Sequence, residues 1–165
     1  MKKFLAILCV IMPLEQAAAQ GLGAAAQGAV SSYRKQHGLP GVSVDPALMQ
    51  LAHQQAAAMA RSGSLSHSVG GSFASRIGGS NRGVAAENIA MGTNDLSSTL
   101  AMWKRSSGHN ANLLKRGVNR IGIASANGGK RTYWALILAG PVERRPPLTL
   151  PGRRRAVGPS PIAGW

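Results

Sequence analysis

Two histidines and one glutamate are the side chains of this sequence best suited to chemistry. His67 follows Ser64-Leu65-Ser66 and His109 follows Ser106-Ser107-Gly108, small residues that allow the backbone to hold a ring in a cleft. Glu87 lies in an apolar stretch, where a carboxylate needs a partner or takes up a proton. Two imidazoles and one carboxylate form a known ligand set of open zinc sites. The three residues therefore predict a polar site, with a divalent cation, zinc above all, as its candidate cofactor.

The same three residues also allow a structural interpretation. Glu87 can form an ion pair with a nearby arginine such as Arg82 or Arg76, and a histidine among small residues is often structural. No HExxH motif and no cluster of cysteines and histidines supports metal binding through local spacing. The catalytic interpretation, with Glu87 as its candidate base, therefore stays open beside the structural one.

The other histidines and acids have ordinary positions for their residue types. His37 lies at a predicted helix end, where an imidazole interacts with free carbonyls, and His53 lies off the apolar stripe of its helix. Asp45 and Asp95 precede apolar patterns of helical spacing and are expected to cap those helices. These residues are not candidates for the site.

Helical periodicity and turn residues predict the elements that must position the site. We expect a first helix over 22–36 and a second helix that begins after Asp45, with Pro46 in its first turn, and ends before Gly63. A connection rich in glycine and serine follows from 63 to 82. Further helices are predicted after Asp95 or Ser97 and after Gly108. Strands at 120–124 and 133–138 then bracket a hairpin turn at Asn127-Gly128-Gly129.

The chain is expected to contain one domain with a flank on either side. Residues 1–19 have a positive start, an apolar run and a small-residue cleavage site, which predicts a signal peptide and hence a secreted or periplasmic protein. The domain is predicted over 20–140, and the Pro- and Arg-rich segment 141–165 is expected to be disordered. Cleavage would remove Cys9, the single cysteine. No later segment is apolar enough to predict a membrane span.

Charge favours an anionic partner over other kinds of partner. The formal net charge is +14, and much of it lies in the segment 141–165. The chain contains only two Tyr and two Phe residues, which leaves few platforms on which bases could stack and argues against nucleic acid. After export, the available polyanions would be envelope polymers and anionic lipid headgroups.

Taken in order, the motifs resemble the CAP family (cysteine-rich secretory proteins, antigen 5 and pathogenesis-related-1 proteins) in its bacterial form. The match runs from about residue 30 to 138. In the family's order it includes Arg34 to Pro40, Val44 to Leu48, Met59 to His67, Ala86 to Ala90 with its Glu-Asn pair, Trp103 to Leu114, and Ile121 to Ala124 before Tyr133-Trp134. The resemblance implies an α+β fold, a three-layer α/β/α sandwich. It also implies a cavity lined by His67, Glu87 and His109 that binds a divalent cation in several members.

This chain departs from the family pattern at two places. The second carboxylate of eukaryotic members has no counterpart, and Ser106 in that region could at most donate or accept a hydrogen bond. The bacterial form commonly has Ser-Pro-Gly-His, whereas this chain has Ser107 in place of the proline. Water would therefore have to complete the coordination of any metal.

Three classes of function follow from these residues. The first is an exported binding module for an envelope or extracellular ligand, such as a lipid, whose cavity can also hold a metal. The alternative is a metal-assisted hydrolase, in which a metal at His67 and His109 holds a water and Glu87 acts as ligand or base. The third is electrostatic binding of a polyanion through the arginine-rich segment 141–165.

Overall fold

The computed structural model describes residues 14–78 and 83–141, with side chains described from residue 17. Most of the predicted signal peptide and of the predicted tail lies outside these residues, as does Arg82. The described elements are five helices and four strands: α1 Leu14–Gln36, β1 Ser43–Val44, α2 Pro46–Ser62, α3 Phe73–Ile77, β2 Ala85–Met91, α4 Leu96–Arg105, α5 Ser107–Leu113, β3 Arg120–Gly128 and β4 Arg131–Ala139.

The four strands form one sheet in the order β1-β3-β4-β2. Strands β3 and β4 make the predicted antiparallel hairpin, but both are longer than predicted and pair as far as Gly128 with Arg131. The turn is therefore Gly129-Lys130, which shares only Gly129 with the predicted turn. Strand β2 pairs antiparallel with β4 and is an edge strand, with Glu87 opposite Ile137. Strand β1 pairs parallel with β3 at the other edge.

Helices cover both faces of the sheet and confirm the three-layer α/β/α sandwich. One apolar cluster joins α1, α4 and α5 to the sheet through residues such as Val30, Trp103 and Leu113. The second cluster joins α2 and α3 to the opposite face through Leu48, Met59 and Ile77, among others. Alternate residues along β4 enter alternate clusters, because successive side chains of a strand point to opposite faces.

Helix α2 begins and ends as the sequence predicts. The Asp45 side chain accepts a hydrogen bond from the Leu48 backbone N–H at 3.0 Å, and Pro46 occupies the first turn, where its missing N–H has no cost. Gly63 ends the helix in the left-handed conformation, with φ of 66°. Arg120 also donates to Asp45 at 2.8 Å, which ties this helix start to β3. Asp95 caps α4 in the same way, through the Ser98 backbone N–H.

The structure corrects three predicted elements and adds a strand that was not predicted. Helix α1 begins at Leu14 and not at residue 22, so it runs through the predicted cleavage point after Ala19. Helix α5 begins at Ser107, before Gly108. The predicted connection 63–82 contains α3, which the Ser72 side chain caps and in which Ile77 is buried. Strand β2 was not predicted, because its central residues are buried on both faces and show no alternation of apolar and polar residues.

A buried arginine joins the end of α1 to the segment after α5. The guanidinium of Arg34 donates to the backbone carbonyls of Leu113 at 2.8 Å, Lys115 at 2.9 Å and Pro40 at 2.9 Å. Arg34 is fully buried, and this burial lowers the pKa of its guanidinium. Backbone carbonyls therefore satisfy a cation that has no carboxylate partner among the described residues. The contact fixes the C-terminal end of α5, the helix that carries His109.

Substituting Gly122 by alanine is expected to destabilise the fold by about 1–3 kcal/mol or more, because overpacking forces the backbone to move. A Cβ at Gly122 would lie 2.1 Å from the carbonyl carbon of Leu48 in α2. Gly28→Ala is the matched control, since a Cβ there meets nothing within 4 Å and alanine favours the helix. Thermal unfolding of both variants measures the effect. A melting temperature of Gly122→Ala equal to that of Gly28→Ala would contradict this packing.

Candidate functional site

Adjacent residues of the edge strand β2 point to opposite layers of the sandwich. Glu87 shares a face with Ile89, which packs in the α2 cluster, whereas Asn88 shares a face with Ala90, which packs in the α4–α5 cluster. Both polar side chains are buried. Because β2 is an edge strand, the site built on these two residues reaches both helical layers at the border of the sheet.

The Glu87 carboxylate has two cationic or hydrogen-bonding partners. Arg76 donates to Oε2 at 2.9 Å and to Oε1 at 3.0 Å, a bidentate pair, and Nδ1 of His67 lies 2.8 Å from Oε1. The Glu87 side chain is 1% exposed and that of His67 is 53% exposed. An ionised carboxylate only accepts hydrogen bonds, so Nδ1 of His67 carries the proton in this contact, and in the neutral ring Nε2 is then the acceptor.

The connection after α2 is held so that both partners reach Glu87. The buried amide of Gln55 in α2 donates to the carbonyl of Ser66 at 2.7 Å, directly before His67. Arg76, in the last turn of α3, also donates to the carbonyl of His67 at 2.9 Å and to that of Gly71 at 3.3 Å. The guanidinium thus binds the backbone of His67 as well as the carboxylate that orients its ring.

Two asparagines bring His109 to the same border from the other layer. Asn88 donates to the carbonyl of His109 at 3.0 Å. Asn112 donates to the Asn88 side-chain oxygen at 2.9 Å and to the carbonyl of Glu87 at 3.1 Å. The His109 ring lies 6.4 Å from the Trp103 ring, centroid to centroid. Helix α5 is therefore attached to β2 by amide hydrogen bonds to both residues of the Glu87-Asn88 dipeptide.

The surroundings of His109 favour the neutral form of its imidazole. Burial lowers its pKa below the ordinary value of 6.5, and charge on His67 lowers it further. Its Nδ1 is buried and has no hydrogen-bond partner among the described residues. The two rings are thus near enough for charge on His67 to act on His109, and their convergence with Glu87 on one site stays a prediction.

The remaining sequence predictions have mixed outcomes. The ion pair between Glu87 and Arg76, predicted as the structural alternative, is confirmed. Ser106 lies at the junction of α4 and α5, where its backbone accepts from Asn110, and its side chain makes no capping hydrogen bond. His53 is exposed, and the Nδ1 atom of His37 lies 2.9 Å from the Tyr33 carbonyl at the end of α1. Sequence reasoning missed Gln55 and Asn112, because amides in helices carry no motif of their own.

The arrangement does not fit the three-ligand metal site predicted from the sequence. Both oxygens of Glu87 already accept hydrogen bonds, and a guanidinium lies against them. Within residues 14–78 and 83–141, no group of three His, Cys, Asp or Glu side chains is placed to hold a metal ion. His67 Nε2 and the His109 ring remain as atoms that could bind a metal ion. Zinc binding stays a prediction, and in this geometry Glu87 orients His67 and is not a ligand itself.

A concave surface lies on the α1–α4 layer and is lined by none of His67, Glu87 and His109. It is an open, mainly apolar groove of about 380 Å³, lined by Ala29, Leu96, Ser97, Leu100, Ala101 and Lys104. Lys104 extends over the ring of Tyr33, with Nζ 4.4 Å from the ring centroid. The sequence did not predict this groove, because its residues come from two helices distant in sequence.

The sandwich with two histidines beside a Glu-Asn dipeptide defines a domain of the CAP type. A sequence model of the cysteine-rich secretory protein family, named CAP, matches residues 27–138. The chain belongs to this family. No curated protein matches the chain in sequence. Among the described residues, no helix is both long enough and apolar enough to cross a bilayer.

Solved bacterial structures share this fold at low sequence identity. An outer surface protein of Borrelia burgdorferi has a TM-score of 0.64 at 17% identity, over 71% of this chain and 90% of that chain. An extracellular protein with an SCP domain from Bacillus anthracis has a TM-score of 0.66 at 20% identity, over 79% of this chain and 44% of that one. The CAP domain of enterococcal PrgA gives 0.59 at 18% identity, over 78% and 63%.

His109 is expected to make folding stability fall as the solution is acidified. Because its pKa is lower in the folded protein than the unfolded value of 6.5, the unfolded chain binds a proton first. Its contribution is complete above pH 6.5 and is lost as the pH falls from there toward the lowered pKa. Chemical unfolding of the native protein and of His109→Gln from pH 8 to pH 5 measures this effect. The difference in unfolding free energy should shrink on acidification.

His53→Gln is the control for this measurement, because His53 is exposed on α2 and outside the site. Its stability relative to the native protein should not change across the same range. A difference between the native protein and His109→Gln that grows on acidification would show that His109 gains a proton on folding, contrary to its burial.

Proposed function

We propose that this chain is an exported binding module that holds a ligand with an apolar chain and an anionic group in the groove between α1 and α4. The observation that carries the proposal is the groove of about 380 Å³, which has an apolar lining and one cation, Lys104. Ligand sites are typically concave and mostly apolar, with a few polar groups that fix orientation. A lipid with a carboxylate or phosphate headgroup matches this combination.

The chemistry of Lys104 supports an anionic headgroup. Its ammonium group lies over the Tyr33 ring, whose hydroxyl donates to the side-chain oxygen of Asn110 at 2.8 Å. No described carboxylate forms an ion pair with Lys104, so its charge is available to a ligand. The formal net charge of +14 adds a general attraction for anions.

Export is part of this proposal. The predicted signal peptide over 1–19 would deliver the domain to the periplasm or beyond it. Two of the similar structures are described as an outer surface protein and an extracellular protein, in Borrelia burgdorferi and Bacillus anthracis. An envelope lipid or another extracellular amphiphile would be the partner available there.

Filling the groove should weaken binding of a fluorescent long-chain fatty acid. Ala29→Leu adds atoms at a lining position of α1 and is expected to raise the dissociation constant about tenfold, or 1.4 kcal/mol. Ala25→Leu is the matched control on the same helix, because Ala25 is exposed and does not line the groove. Fluorescence titration of both variants measures the change. Equal affinities of the two variants would place the ligand elsewhere.

Two further variants separate the groove from the histidine site. Lys104→Gln should weaken binding of the fatty acid more than that of the corresponding long-chain alcohol, because only the acid carries charge. His67→Ala should leave the affinity unchanged, since apolar contacts in the groove dominate. Loss of fatty-acid binding in His67→Ala would move the ligand to the border of β2.

A hydrolase is the second candidate function, and the orientation of His67 supports it. An imidazole whose Nδ1 hydrogen-bonds to a buried carboxylate and whose Nε2 is free has the arrangement of a general base. In this version His67 takes the proton from the attacking group, and Glu87 orients the ring. No serine hydroxyl hydrogen-bonds to His67 among the described residues, so water would be the nucleophile.

The hydrolase version predicts turnover of an ester or peptide that depends on Glu87. Loss of an orienting carboxylate is expected to lower kcat by about 10²- to 10⁴-fold, as for general base catalysis and triad carboxylates. Purified native protein, Glu87→Gln and the control Asp95→Asn are assayed on broad ester and peptide panels. Native protein that is inactive on all substrates would remove this candidate, whereas activity equal in Glu87→Gln would assign it to another site.

A further inference from the structure

The charges at the border of β2 balance without a metal ion. Glu87 carries one negative charge, and the Arg76 guanidinium, which cannot lose its proton in a protein, carries one positive charge. The Arg76 side chain is 9% exposed and that of Glu87 is 1% exposed, so water screens the pair weakly. Each carboxylate oxygen accepts a hydrogen bond from Arg76 at 3.0 Å or less. A divalent cation would add positive charge beside a carboxylate whose charge Arg76 already balances.

The position of the guanidinium is fixed by contacts other than Glu87. Arg76 donates to the backbone carbonyls of His67 and Gly71, and its guanidinium carbon lies 5.6 Å from the centroid of the Phe73 ring. Arg76 and Phe73 belong to the same short helix, α3, whose Ile77 is buried in the α2 cluster. The cation is therefore built into the fold and is not a mobile surface side chain that happens to reach Glu87.

We propose that Arg76 takes the role of the divalent cation at this site and that the site works without metal. The guanidinium donates to both oxygens of Glu87, and the carboxylate also accepts from Nδ1 of His67, which fixes the tautomer and the ring orientation. The half-exposed ring then presents Nε2 as an acceptor for a ligand hydroxyl or amine. Arg76 is a positioning residue in this arrangement. It also determines specificity, because it withholds the carboxylate from metal ions.

This inference goes beyond the proposed binding function, because it concerns the histidine site and holds whether or not the groove binds a lipid. It predicts that removing the guanidinium creates a metal site. In Arg76→Gln, Glu87 loses its cation, and the carboxylate becomes available to join His67 and His109 as a ligand set of two imidazoles and one carboxylate. The amide of glutamine can still donate to a backbone carbonyl, which helps to retain the connection.

The test is calorimetric titration of zinc into metal-free protein. Native protein should show no zinc binding that depends on the two histidines, whereas Arg76→Gln should bind zinc with a dissociation constant at least about tenfold below that of any residual zinc binding by the native protein. Arg76→Gln/Glu87→Gln should lose this gain, because the carboxylate is the added ligand. His53→Gln serves as the control for zinc binding by an exposed histidine. Native protein that binds zinc, and stops doing so in His67→Ala/His109→Ala, would overturn the proposal.

A second measurement on the native protein keeps the test decisive if Arg76→Gln does not fold. Nitrogen-15 NMR of the imidazole rings reports which nitrogen of His67 carries the proton. The spectrum should show protonated Nδ1 in metal-free protein with excess chelator, and added zinc should leave the His67 and His109 signals unchanged. A tautomer that changes on addition of zinc, or a melting temperature that falls with chelator, would show that a metal ion and not Arg76 organises the site.

Discussion

The burial of the Glu87 carboxylate is the constraint on which the border of this sandwich depends. An ionised carboxylate removed from water costs several kcal/mol unless charged and hydrogen-bonding groups compensate it. Here the compensation comes from the connection after α2, which turns back over β2 and delivers His67 and then Arg76 to the same carboxylate. A segment rich in glycine and serine, with little apolar surface of its own, thereby acquires a defined path. Its short helix α3 adds Ile77 to the core and holds Arg76 in place.

The Glu87-Asn88 dipeptide connects the two helical layers because the residues point to opposite faces of one strand. Glu87 organises the segment after α2, and Asn88 binds the His109 backbone in α5. Asn112 contacts both members of the dipeptide and completes the connection. The segments that carry His67 and His109, 42 positions apart in the sequence, both hydrogen-bond to this dipeptide. Here an edge strand brings the two segments together, whereas in other sites residues close in sequence form the site.

The sequence predicted those parts of the structure that local chemistry determines. Asp45 and Pro46 mark the start of α2, the hairpin has its own turn residues, and the family motifs identified His67, Glu87 and His109. Strand β2 was not predicted because burial on both faces removes the alternation of apolar and polar residues. Helix α3 was not predicted because five residues are too few to show a repeating helical pattern. The sequence offered Arg76 and Arg82 equally as partners of Glu87. The path of the connection brings Arg76 to Glu87, whereas Arg82 lies outside the described residues. The groove between α1 and α4 likewise depends on tertiary packing.

Glycines on β3 let α2 approach the sheet until backbone meets backbone. Gly122 lies against Leu48 near the start of the helix, and Gly128 lies against Ala60 near its end. Main-chain atoms consequently set the smallest separation of helix and sheet, which no exchange of core side chains for smaller ones can reduce. Helix α2 is thereby held against the sheet near both of its ends, and Gln55 on this helix donates to the Ser66 carbonyl. The segment that leaves the helix at Gly63 lies outside these backbone contacts, so substitutions there can change the surface beside His67 without altering the separation of α2 from β3.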